Sequence, residues 1–231
     1  MKQSISAYLK RPDIRRRILM AVLGVSVCGL SVGLFSYSDF GMDPFQVMAH
    51  GTWNLVPLDY GTYYVILTGV FLVAIFFLDK RKIGIGTVIN LFLVGYMAEF
   101  SEWCLRQLFG DPSLAGRIVS LALGIIIMCF ASAVYFTADM GVSSYDAVAI
   151  IISEHENKVP FRFVRIFTDL ICVIIGVLTG CKAGIGTIVT AFFMGPLISF
   201  FKKTVAEPMR YGRKMADLNS KEMSEDKKTE L

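Results

Sequence analysis

The chain carries one pattern twice, at a spacing of one hundred residues. Lys82-Ile83-Gly84-Ile85-Gly86-Thr87 returns as Lys182-Ala183-Gly184-Ile185-Gly186-Thr187. Upstream, Asp39-Phe40-Gly41-Met42-Asp43-Pro44-Phe45-Gln46 returns as Asp139-Met140-Gly141-Val142-Ser143-Ser144-Tyr145-Asp146. Two matches at one offset, with no gap between them, mark an internal duplication. In a strongly apolar chain, repeated halves are a mark of membrane transporter folds, whose sites form where the halves meet.

Composition supports a membrane reading. Hydrophobic residues make up 55% of the 231 residues and charged residues 18%, with the charges gathered at the ends and in short connectors. Six apolar runs, at 18–37, 62–78, 85–104, 118–137, 163–180 and 185–201, approach the ~20 residues that cross a bilayer as a helix. They lack the alternation of a barrel strand, so helices are expected, with backbone groups paired internally. The first run follows Arg15-Arg16-Arg17, but it lacks a small-x-small cleavage site and exceeds a signal-peptide core, so it reads as a mature span. The net charge of +4 comes partly from Lys and Arg flanking the spans, which fits topogenic signals better than nucleic-acid binding. The five cysteines show no CxxC spacing and have no partner histidines, so they read as apolar filler, with no metal or other cofactor expected.

Charge predicts topology. Residues 38–62 contain no Lys or Arg, whereas Lys80, Arg81, Lys82, Lys158, Arg162 and Arg165 occupy the connectors at 79–82 and 138–165. The opposite side holds Arg106, Arg117 and Lys182. Both termini are therefore expected in the cytoplasm, with Trp53, Tyr60, Tyr63 and Tyr64 as an outer aromatic belt. Three spans per half is an odd number, so the second half enters from the other side and the repeats are inverted. The organisation expected is a basic N-terminus (1–17), a first repeat (18–104), an outer connector (105–117), a second repeat (118–203) and a polar tail (204–231), disordered or loosely helical.

Three motif sets are candidates for function. Asp43-Pro44-Phe45-Gln46 and Ser143-Ser144-Tyr145-Asp146 read as helix starts, each opening a half-helix, about 47–55 and 147–154, too short to span. Their N-termini either hold an anionic group or are satisfied by their own caps. Gly-Ile-Gly-Thr at 84–87 and 184–187 opens spans three and six. It allows a tight turn and close helix contact or faces a substrate, with Thr87 and Thr187 as caps. Polar residues inside apolar runs form the third set. Asn90 is mated with Thr190, whereas Asp169 faces Gly69 across the repeat. Asp169 either pairs with Arg165 one turn earlier or serves as a proton- or cation-coupling acid. Glu99 and Glu102 lie near the outer end of span three, within reach of interfacial water. Small-xxx-small spacing at Gly29/Gly33 and Gly176/Gly180/Gly184 permits close packing within the chain or between two copies. The two histidines, His50 and His155, belong to no catalytic or metal motif, and no Gly-x-Ser-x-Gly elbow is present, so an enzyme is not expected.

The stretch from Lys82 to Asn90, continuing to Gly95, resembles a motif of the bacterial YczE/YyaS/YitT membrane protein family, as do residues 41–45 and 141–146. The resemblance covers roughly 15–203, and in that family the Lys-x-Gly-x-Gly-Thr element recurs in the second half, as at Lys182 to Thr187. Two departures are Pro196 after Gly195, which would kink span six, and Glu99, near where relatives tend to carry Asp. The resemblance implies an integral protein of the bacterial cytoplasmic membrane.

The resulting expectation is an all-α membrane protein of six transmembrane helices, arranged as two inverted three-helix repeats with a short half-helix in each. It would be a small-molecule transporter or permease, its site between the repeats lined by Asp43, Gln46, Asn90, Ser143, Ser144, Asp146 and Thr190, with Asp169 coupling. Its partners would be the lipid bilayer, a small polar or anionic solute and a proton or cation, with a homodimer allowed. The alternative is a non-transporting membrane factor acting on a partner protein.

Overall fold

The structure, a computed structural model, describes residues 13–79, 83–155 and 161–212, and among these every regular element is helical. The segment 1–12, the Lys80-Arg81-Lys82 connector, Lys158 and the tail 213–231 lie outside the described residues. The first half supplies α1 (Ile14–Ser38), α2 (Pro44–Trp53), α3 (Tyr60–Asp79) and α4 (Ile85–Phe109). The second supplies α5 (Leu114–Ala138), α6 (Ser144–His155), α7 (Phe161–Leu178) and α8 (Ile185–Phe201), continuing through a π-helical turn (Lys202–Ala206) into α9 (Glu207–Tyr211). The half-helices α2 and α6 begin three residues earlier than the apolar pattern suggested, because Pro44 and Ser144 already occupy helical positions.

Among the described residues, four helices, α1, α3, α4 and α5, are long and apolar enough to cross a membrane. A fifth is obtained if α8 and its continuation count as one span, bent by 55° between Ile185–Ala191 and Met194–Tyr211. Pro196 lacks an N–H and its ring crowds the carbonyl four residues back, which is where the bend falls. In α7 the stretch Ile166–Leu178 is apolar. Large apolar side chains such as Phe77, Val70, Phe92 and Leu178 point outward, as a lipid-facing surface requires.

The core forms on α1, which packs against α4 and α5. Gly29 and Gly33 make the first contact possible: a Cβ on either would fall 2.5 Å from a Cβ of α4, that of Met97 or Ser101. This small-residue stripe therefore works inside the chain. Against α5 the contacts are reciprocal. A Cβ on Gly24 would strike Tyr135, and one on its mate Gly124 would strike Phe35. Cys28 Sγ lies 3.1 Å from Sδ of its own mate, Met128. Each half-helix lies on the other half, α2 on α7 and α6 on α3. These contacts join equivalent positions of the two halves.

The two repeated motifs dock on each other across the halves. Gly86 N–H donates to Met140 O (2.7 Å), and Gly186 N–H donates to Phe40 O (2.8 Å). Any Cβ on Gly84 would collide with the Met140 carbonyl, and any on Gly184 with that of Phe40. Gly41 and Gly141 have φ of +98° and +107°, the left-handed region that glycine enters without strain. Thr87 accepts the Gly84 N–H (3.1 Å) and donates to Val142 O (2.7 Å), so it caps α4 and fastens it to the other half.

One expectation changes, and the polar tail is helical over the part that is described. Tyr60, Tyr63 and Tyr64 are buried, so they do not form an outer belt; α2 folds back and covers them. The chain after residue 204 continues as helix to Tyr211, held by Arg210 donating to Thr137 O at 2.7 Å.

Gly84→Ala and Gly184→Ala should each lower thermal stability in detergent by about 1–3 kcal/mol, the usual cost of overpacking. Gly69→Ala, where an added Cβ meets nothing within 4 Å, should raise it by up to about 1 kcal/mol. Melting curves of the three variants check both directions.

Candidate functional site

The N-termini of α2 and α6 converge at the centre of the bundle. The Phe45 ring stacks on Tyr145, its mate in the repeat, with centroids 4.8 Å apart. Tyr64 and Phe71 of α3 meet Phe45 edge-on. Asp43 caps α2 by accepting the Gln46 N–H (3.4 Å), and Pro44 sits in the first turn, which needs no N–H there. Ser143 accepts the Asp146 N–H (3.1 Å) and donates to the Asp146 carboxylate (2.7 Å).

The predicted wall residues divide into two groups. Asp43, Gln46, Ser143, Ser144 and Asp146 come together at the converging termini. Gln46 is buried and its side-chain oxygen accepts the Tyr60 hydroxyl; Ser144 is also buried. Asn90 and Thr190 are buried on α4 and α8, and the Thr190 hydroxyl bonds Thr187 O of its own helix at 3.0 Å. Asp169 accepts the Tyr145 hydroxyl at 2.5 Å, which links the acid of α7 to the start of α6. The first half has no such link, since Phe45 has no hydroxyl and Gly69 no carboxylate. The Arg165 side chain lies outside the described residues.

Each end of the α1–α5 pair carries a charged clasp that sequence reading missed. Arg17 is only 1% exposed and donates to Ala138 O (2.8 Å), Asp139 O (2.5 Å) and the Asp139 carboxylate (2.6 Å). Arg210 joins the same carboxylate at 3.3 Å. Two guanidinium groups thus cover the C-terminal carbonyls of α5, where the helix dipole is negative. At the other end Arg117 (3.3 Å) and Lys182 (3.2 Å) reach Asp39, and all three side chains are substantially exposed. Arg17 and Arg117 are mates, as are Asp39 and Asp139, and both aspartates have positive φ. The signal was available in the sequence: Arg and Asp recur at the repeat offset. Because the start of α1 meets the end of α5, and the start of α5 the end of α1, these two helices run antiparallel.

At the Asp39 end a cavity of about 250 Å³ opens between α1, α2, α3 and α4. His50, Trp53, Tyr60, Glu99, Glu102 and Trp103 line it. His50 stacks on Tyr60 (4.1 Å between centroids), with Trp53 edge-on to both. Glu102 accepts Ser36 Oγ (2.5 Å) and pairs with Arg106 (2.9 Å). Glu99 accepts the Gly61 N–H at 3.1 Å, capping α3.

Residues 15–203 match the model of a family of unknown function, DUF6198. The chain belongs to this family. An uncharacterized protein of Haemophilus influenzae is 25% identical over 83% of this chain and 85% of its own length. Two Bacillus subtilis proteins are also similar. The uncharacterized protein YyaS is 20% identical, over 79% of this chain and 90% of its own length. The uncharacterized membrane protein YczE is 24% identical, over 79% of this chain and 80% of its own length. No solved structure matches. The resemblance to the YczE and YyaS proteins therefore holds, and this family member is a membrane protein.

Removing Arg17 strands the buried carbonyls of α5, whereas removing Arg117 breaks only an exposed pair. Arg17→Ala should cost about 2–4 kcal/mol of stability, and Arg117→Ala about 0.2–1 kcal/mol, a loss that salt screens. Melting at low and high ionic strength separates the two.

Proposed function

We propose that this chain is a small secondary transporter of the bacterial cytoplasmic membrane, built as two inverted three-span repeats with both termini in the cytoplasm. The reading rests on one observation above all: the N-termini of both half-helices meet at the bundle centre, with Phe45 stacked on its own mate Tyr145. Irregular backbone at that depth is stable only when covered by protein or lining a wet cavity, and paired broken helices are how such folds build a central site. A small polar or anionic solute would take N–H donors from the two termini, with Asp43, Gln46, Ser143, Ser144 and Asp146 as neighbours. Asp169, through Tyr145, would sense a proton or cation and transmit its binding to α6.

Alternating access requires two ends that close in turn. The two clasps support this, because they are chemically equivalent but unequally shut. Arg17 at Asp139 is buried and tightly bonded, and Arg117 at Asp39 is exposed and longer. Positive-inside placement puts the tight clasp in the cytoplasm and the cavity of the first half outside.

A second reading, a non-transporting factor acting on a partner protein, is favoured by the aromatic stack that fills the centre. Flux separates the two. Purified protein in proteoliposomes, challenged with a panel of small polar solutes, should show saturable uptake. Asp169→Asn and Tyr145→Phe should slow that uptake by on the order of 100-fold while the protein stays folded. Absence of flux across the panel favours the accessory reading. Reporters fused after Asp79 and after Cys181 should lie on opposite sides of the membrane; the same side for both removes the inverted architecture.

A further inference from the structure

The duplication separates scaffold from chemistry. Residues the scaffold needs occur in both halves: Gly84 and Gly184, Thr87 and Thr187, Asp39 and Asp139. The lining of the 250 Å³ cavity does not recur. The mates of His50, Trp53, Glu99, Glu102 and Trp103 are Ile150, Ser153, Ser199, Lys202 and Lys203. The second half folds without these groups, so they are not part of the repeated scaffold.

Their chemistry points to one class of ligand. Aromatic faces and carboxylates together attract a cation, the rings through their quadrupole and the carboxylates through charge. Glu102 is engaged by Arg106 and Ser36. Glu99 makes a single hydrogen bond among the described residues, to Gly61 N–H through Oε2, so Oε1 is left for another partner. His50 is 92% buried by its 8% exposure, lines the cavity, and its Nε2 has no hydrogen-bond partner. A buried imidazole nitrogen without a partner is costly, and with the ring proton on Nδ1 the Nε2 lone pair is an acceptor that an N–H donor from a ligand would relieve. The cavity lining holds two acidic side chains, Glu99 and Glu102, and one guanidinium, Arg106.

We propose that this cavity binds a small aliphatic ammonium group carrying at least one N–H, held by Glu99, the His50 ring nitrogen and the faces of Trp53 and Trp103. The ammonium can come from a free amine or from an ethanolamine lipid headgroup, since the cavity opens at one end of the membrane helices. The proposal goes beyond the transport reading and does not need it, because equilibrium binding is measured without flux.

Trp53 and Trp103 are the two tryptophans of the chain, so intrinsic emission reports this cavity directly. The full chain, reconstituted in phosphatidylglycerol vesicles, is titrated with ethanolamine and separately with its neutral counterpart, ethylene glycol. A saturable spectral change with the amine and none with the diol is expected, weakened about tenfold in Glu99→Gln. That substitution keeps an acceptor for Gly61. His50→Phe, which keeps the stack on Tyr60, should weaken binding as well and serves if Glu99→Gln misfolds by circular dichroism. If the headgroup is the occupant, vesicles of phosphatidylethanolamine give the shifted emission before any amine is added, and His50→Phe or Glu99→Gln removes it. Equal responses to amine and diol, no response in either vesicle type, or unchanged binding in the folded variants overturns the assignment.

Discussion

Backbone against backbone is the contact on which the fold depends. Each Gly-Ile-Gly-Thr loop presses against the chain reversal of the opposite half, and at Gly84 and Gly184 the space for a Cβ is already filled by a carbonyl. The paired N–H to carbonyl bonds from Gly86 and Gly186 satisfy groups that lipid could not. Because this dock occurs twice, its residues must occur twice. That requirement accounts for the strictest part of the duplication without any appeal to a ligand.

Once docking holds the halves together, other features follow. The half-helices α2 and α6 are carried across onto α7 and α3, and their first residues meet at Phe45 and Tyr145. Antiparallel α1 and α5 bring each arginine at a helix start to an aspartate at the partner's end. The differing burial of these clasps shows that equivalent sequence does not guarantee equivalent surroundings. Arg210 of α9 covers one clasp, and Lys182 accompanies the other.

The two halves differ in their polar side chains. Tyr145 holds Asp169, and the equivalent pair in the first half, Phe45 and Gly69, cannot form that bond. The first half instead carries the acidic, aromatic cavity. A duplicated scaffold thus offers two positions at each level of the bundle, and the two halves have been furnished differently.

Much of the architecture was legible in the chain. Hydropathy located the long helices, Asp43-Pro44 and the Ser143–Asp146 box marked the half-helix starts, and Pro196 marked the bend in α8. These are local properties, set by a few neighbouring residues and by the refusal of lipid to hydrate a backbone. What pairs with what was not local. Sequence could not tell whether Gly29 and Gly33 face another copy or α4, or whether Tyr60 lies at an interface or under α2. The cavity was least visible of all, because Glu99 and Glu102 looked like acids near an interface and His50 belonged to no motif. Only packing of α1, α2, α3 and α4 gathered them, since proximity between residues far apart in the chain is decided by which surfaces exclude one another.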